Sequence, residues 1–128
     1  MGVAVAIALG IALVGTAGAI PPGGPDNQAN GAKVSIDRTT VAQGGRIRVR
    51  GSNWKAKGSR TGTRAAVTIK LDDLDVLAVL PIRNKRFSGS VPIPRQVRTG
   101  RHWLRFLAAR PATSVKSKTF AVTKRKAA

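Results

Sequence analysis

The sequence holds one histidine, no cysteine, no tyrosine and no glutamate, so acid–base or metal chemistry would have to be built on His102 and five aspartates. A general base or metal ligand needs partners beside it. Nothing near His102 in the sequence supplies one, and no Gly-x-Ser-x-Gly elbow marks a serine as nucleophile. His102 is therefore read as structural, and the chain as non-catalytic and without cofactors. Asp72, Asp73 and Asp75 crowd three carboxylates into four residues, which could hold Ca²⁺ in a loop between strands. A calcium loop gathers more oxygens than this. The expectation is a solvated turn, without metal, that pairs with Lys70 or Arg83. Lys57 to Thr63 is glycine-rich, but its lysine is misplaced for a phosphate loop and no helix follows.

Binding negative charge is the chemistry the residues do supply. Twenty-three Lys and Arg face five acids, for a formal charge of +18. Such a surface attracts nucleic acid, anionic lipid headgroups or acidic wall polymers, because its field acts on phosphate wherever phosphate occurs. A compositional origin, through GC-rich coding that favours arginine, is the alternative. The candidate polyanion-binding residues are Arg46, Arg48, Arg50, Lys55, Arg60, Arg64, Arg101, Trp103 and Arg105. Arg46, Arg48 and Arg50 alternate with Ile47 and Val49, which on a strand puts all three on one outward face. Lys55, Arg60 and Arg64 belong to the glycine-rich loop and its flanks, a basic loop that could contact phosphate or sulfate non-specifically. Trp103, between Arg101 and Arg105, could stack a base or sugar ring while the arginines hold phosphate. Packing against arginine stems is the competing reading for that indole. Lys124, Arg125 and Lys126 add a basic tail.

One small domain must position these groups. From Gly2 to Ile20 there is no charge, and Thr16 is the only hydroxyl, as in a signal-peptide core or a membrane span. Ala17-Gly18-Ala19 offers the small residues a signal peptidase accepts, and Pro21-Pro22 would stop a helix there. Residues 1–19 are thus read as a signal peptide, with an uncleaved membrane anchor as the alternative, although no Lys or Arg follows Met1. Residues 20–32, rich in Pro, Gly and Asn, read as a flexible spacer. The folded domain spans 33–123 and the basic tail 124–128. Secretion or a cell-surface location follows, and the lack of cysteine excludes disulfides without arguing against export.

Within the domain the dominant period is two, and no window carries helical spacing. Val34 and Ile36 begin the pattern, followed by the Gln43-Gly44-Gly45 turn and the Arg46 to Arg50 strand. Val67, Ile69 and Leu71 point inward before Asp72-Asp73 interrupts, and Leu74 to Ile82 forms the next strand. Past Asn84-Lys85, the inward set is Phe87, Gly89, Val91 and Ile93, with Pro92 outward as on an edge strand. His102, Leu104, Phe106 and Ala108 share one face, opposite Arg101, Trp103, Arg105 and Leu107; Phe120 and Val122 close the series. Seven short strands without helical crossovers predict two antiparallel sheets.

Four of these segments carry a family resemblance. Thr40 to Trp54, with its Gly-Gly turn, alternating strand and Gly51-Ser52 before an aromatic, resembles the opening of the immunoglobulin-like modules of Gram-positive bacterial cell-surface proteins. Val67 to Asp73, Arg86 to Pro94 and Thr99 to Leu107 are similar, in order, to the third, fifth and sixth strands of those modules. The resemblance covers residues 34 to 122 and implies an all-β, immunoglobulin-like antiparallel β-sandwich of about seven strands. It places Trp54 in the core and makes His102 a corner residue that hydrogen-bonds backbone. It also implies a spacer, adhesive or presentation role, with a cell-envelope polymer or surface protein as partner; fold alone carries that only by analogy. Outward positions that are commonly Thr or Ser in the family are Arg and Lys here, which keeps non-specific nucleic acid and other polyanions among the expected partners. A membrane partner is expected only if the N-terminal segment is uncleaved, and the oligomeric state is left open.

Overall fold

The computed structural model describes residues 29–58 and 64–125. The expected signal segment, the spacer up to residue 28, Arg60 and Lys126 lie outside the described residues. Among the described residues there is no helix, and ten strands carry the fold. They are β1 (Lys33–Ile36), β2 (Thr40–Ala42), β3 (Arg46–Ser52), β4 (Ala66–Leu71), β5 (Asp75–Pro81), β6 (Phe87–Pro92), β7 (Gly100–His102), β8 (Leu104–Ala108), β9 (Thr113–Lys116) and β10 (Phe120–Thr123). The three sheets are ordered β1-β3-β6, β9-β8-β4-β5 and β2-β10-β7. The protein is an all-β sandwich, as its alternation predicts.

The alternating residues face the core where their spacing puts them. On β3, Ile47 and Val49 are buried while Arg46, Arg48 and Arg50 are exposed. The turn before it closes through Gly45 N–H to the Ala42 carbonyl at 2.8 Å, with Gly44 at φ +80°, a region that costs glycine little. Val67, Ile69 and Leu71 of β4 and Phe87 and Val91 of β6 are buried likewise. β6 pairs only with β3, so Pro92 sits on an edge strand, where its missing N–H leaves no ladder bond unmade. Phe87 of β6 stacks on Phe106 of β8 with centroids 5.7 Å apart, and Trp54 meets Phe87 edge-on at 5.3 Å. These three rings join the two layers of the core.

Ten strands replace the seven expected, for identifiable reasons. The run from Gly100 to Ala108 breaks at Trp103 into β7 and β8. Lys116 faces Arg105, yet Phe120 faces His102, so the returning chain carries one extra residue between those pairs. That is a bulge, and Ser117 fills it. Its Oγ accepts the Leu104 N–H at 2.9 Å and donates to the Lys118 carbonyl at 2.8 Å. β9 escapes hydrophobic alternation because its buried residues include Thr113 and Ser114.

Among the described residues every pairing is antiparallel except one, since β2 and β10 run parallel, with Thr40 opposite Ala121 and Val41 opposite Val122. The chain leaves the β1-β3-β6 sheet at Asp37 and crosses to the other layer, which brings β2 alongside the last strand in the same direction. At the N-terminal end, Asn30 Nδ2 donates to the Ala112 carbonyl at 2.7 Å and Asn53 Nδ2 to that of Gly31 at 2.9 Å. Residues 29–32 are thereby held on the domain, and Ala32 is buried.

Candidate polyanion interface

The arginine row of β3 stands on the outer face of the β1-β3-β6 sheet; its partners on β6 are uncharged, and on the other side Arg48 meets Asp37. Arg48 faces Ser90 on β6, and Arg50 faces Ser88 on one side and Ser35 on the other. Arg46 Nη1 reaches the Ser90 Oγ at 3.5 Å, a marginal hydrogen bond. The carboxylate beside this row is Asp37, which accepts the Arg48 backbone N–H at 2.9 Å and pairs loosely with Arg38 at 3.7 Å. Both side chains of that pair are exposed, so it holds little charge down.

Where β3 ends, the row runs into a groove of about 890 Å³. Lys33, Arg50, Arg83 and Arg86 line it, over the apolar side chains of Val34 and Pro81. Two local structures bring these cations together. Asn84 and Lys85, at φ 52° and 61°, form a two-residue hairpin turn that pairs Arg83 with Arg86 through bonds of 2.8 and 2.9 Å. Trp54 then ties both walls to the end of β3, because its backbone N–H donates to the Lys85 carbonyl at 2.9 Å and its indole N–H to the Lys33 carbonyl at 3.0 Å. Trp54 is fully buried, as its place in the resemblance implies.

The sequence-predicted set is only partly gathered here. Arg46, Arg48 and Arg50 form the row. Lys55 is exposed just past β3, Arg64 just before β4 and Arg101 on β7 in a different sheet. Arg60 lies outside the described residues. Lys33, Arg83 and Arg86 complete the groove and were missed; the two arginines flanking Asn84-Lys85 were the one signal that could have marked them.

Arg105 is a correction. Alternation puts it outward, but its side chain is 2% exposed. Nε donates to Asp73 Oδ1 at 2.7 Å, Nη2 approaches Oδ2 at 3.5 Å, and Nη1 donates to Ser114 Oγ at 3.1 Å. The cause is the Asp72-Asp73 turn, which folds over that part of the sheet with both residues at positive φ. The side-chain hydrogen bond from Arg105, opposed by burial, holds the Asp73 carboxyl below its usual range. Arg105 therefore serves the fold and is not available to a polyanion. Trp103 is corrected with it: half-buried on the same side, it is covered by Lys116, whose Nζ lies 4.6 Å from the ring centroid. Its indole N–H favours the ionised Asp73 yet lies outside hydrogen-bonding geometry with any group. It offers no open platform for a base or sugar.

The acidic turn pairs with other partners than Lys70 or Arg83. Asp72 accepts the Trp103 backbone N–H at 3.1 Å and shares a hydrogen bond between its Oδ2 and His102 Nδ1 at 2.5 Å, while its own N–H donates to the Trp103 carbonyl at 3.1 Å. His102 Nε2–H donates to the Arg98 carbonyl at 2.6 Å, so the ring binds backbone at a corner. Both nitrogens are engaged and the residue is buried, which leaves no room for a nucleophile or metal on it. Asp72 and Asp73 likewise spend their oxygens on His102, Trp103 and Arg105. Among the described residues, no group of three or more His, Asp or Glu is placed to hold a metal ion.

No protein-family model matches the chain, and no curated protein matches it.

Proposed function

We propose that this chain is a non-catalytic β-sandwich module, exported to the cell surface, that holds anionic polymers on the outer face of its β1-β3-β6 sheet. The observation that carries the reading is the row Arg46, Arg48 and Arg50, set among serines and continuous with the groove of Lys33, Arg83 and Arg86. Cations clustered on one face, with Asp37 the one carboxylate described beside the row, focus a field that scattered charge would not. Export is supported by the uncharged stretch from Gly2 to Ile20. The test is retention on an immobilised polyanion at about 50 mM salt and its steep loss as salt rises. Replacing Arg46, Arg48 and Arg50 together by Ser should abolish retention. Replacing Arg101, Lys118 and Lys124, which removes equal charge elsewhere, should not. Equal loss in both variants would reduce the binding to net charge and defeat the assignment.

A second reading, a protein-adhesive module of the immunoglobulin-like type, is favoured by β5. This edge strand and the turn before it expose Leu74, Val76 and Val79, at 75%, 58% and 58%. An unpaired strand edge with apolar side chains can take a partner strand. Binding there would persist at high salt and fall on Val76→Lys, whereas polyanion binding would ignore that substitution.

A further inference from the structure

We infer, resting on the reading above, that the β3 face takes one extended phosphodiester chain without bases, laid along the strand and into the groove at its end. A strand advances about 3.3–3.4 Å per residue, so Arg46, Arg48 and Arg50 leave the sheet about 6.7 Å apart in a straight line. The next place in the line is Ser52, which faces Lys33 on β1. Arg86 stands beside it, one residue before Phe87, which faces Gly51. The line of cations therefore continues into the groove and spans about 20 Å.

A single chain whose charges repeat at a similar interval when drawn out places one phosphate on each cation. A duplex does not, because its phosphates wind around an axis and a straight row meets few of them. Ser35, Ser88 and Ser90 flank the arginines with hydroxyls that can bond phosphate oxygens or the hydroxyls of a polyol.

The rings decide against bases. Sequence-tolerant binding of single-stranded nucleic acid relies on aromatic side chains on which bases stack. This chain has two Trp, three Phe and no Tyr. Trp54, Phe87, Phe106 and Phe120 are buried in the core, and Trp103 lies under Lys116 on a different sheet. Phe87 borders the groove but is 5% exposed and held between Trp54 and Phe106, so no ring presents an open face beside the arginines and a nucleobase adds nothing to what the backbone gains. A polyol-phosphate chain is the ligand that uses every group present.

The test uses the full chain, with glycerol-phosphate oligomers of increasing length as probe and titration calorimetry as readout. Affinity should rise until the oligomer carries about four charges, with a log–log salt slope of about −3. A single-stranded oligonucleotide with the same number of phosphates should bind no more tightly. Each single change Arg46→Gln, Arg48→Gln or Arg50→Gln should reduce the slope by about 0.7, melting temperature being unchanged at these exposed positions. Asp37→Asn keeps an oxygen for the Arg48 N–H and removes the charge, so it should tighten binding about two- to fivefold. An oligonucleotide that binds tenfold more tightly than the base-free chain overturns the inference by assigning the site to bases. Wild-type slope and affinity in the Arg→Gln variants overturn it too, while leaving polyanion binding intact elsewhere on the surface. Absence of binding to any of these polymers at about 50 mM salt removes the wider reading as well.

Discussion

The indole N–H of Trp54 donates to the backbone carbonyl of Lys33 at 3.0 Å, which fastens the first strand of the domain to the residue that closes β3. A core ring and a cationic wall are thus one assembly. Trp54→Phe keeps a ring against Phe87 but removes that donor. It should cost about 1–2 kcal/mol in a denaturant melt, from the lost bond and the carbonyl left behind. Polyanion affinity should fall in the same variant because Lys33 is no longer held at the groove. Unchanged affinity with lowered stability would separate the two roles.

Removing the Asp73 carboxylate should be more damaging than removing any exposed acid. Asp73→Asn deprives the guanidinium of Arg105, 2% exposed, of its charged partner, and a stability loss of about 3 kcal/mol is expected. Replacing both residues, Asp73→Asn with Arg105→Met, should recover much of it, since the pair costs desolvation to bury. Additive losses in the double-mutant cycle would show that the two side chains do not act together.

The same pair sets the acid behaviour. Asp73 has its pKa lowered in the folded protein, so the unfolded chain takes up the proton first as pH falls. The stabilisation is complete above the unfolded value, near 3.9, and drains away as pH drops through the lower folded value. Wild-type melting temperature should decline below about pH 4, and the Asp73→Asn curve should be flatter there. Identical slopes for the two proteins in that window would contradict the assignment.

Gly51 is required by contact, not by turn geometry. It lies on the inward row of β3, and a Cβ built there would fall within the Phe87 ring. That ring is fixed by Trp54 on one side and Phe106 on the other, so it cannot swing away. Gly51→Ala should therefore destabilise by about 2–3 kcal/mol. Adding Phe87→Leu, which makes room, should return part of the loss.

Alternation was a reliable guide wherever a strand has one face in the core and one in water, which is why the inward residues of β3, β4 and β6 were legible. It failed at Arg105 because period two identifies the side of a sheet, not what lies over that side. Only the fold of the Asp72-Asp73 turn decides that. It failed at β9 because buried Thr113 and Ser114 look like loop residues when their hydrogen-bond partners are unknown. The arginine row could be read from one strand. The groove could not, since Lys33 is far in sequence from the Arg83–Arg86 hairpin and the two meet through carbonyl bonds to Trp54.

The parallel seam between β2 and β10 joins a strand near the domain's start to its last strand. Gln43 N–H bonds the Thr123 carbonyl at 2.9 Å, and Ala121 N–H that of Thr39 at 2.8 Å. Tension applied through the two ends pulls parallel neighbours in opposite directions along their length. Their hydrogen bonds are then loaded in shear and must fail together, whereas an antiparallel hairpin pulled from its open end unzips one bond at a time. The seam is in this way suited to resisting tension drawn through the two ends of the domain.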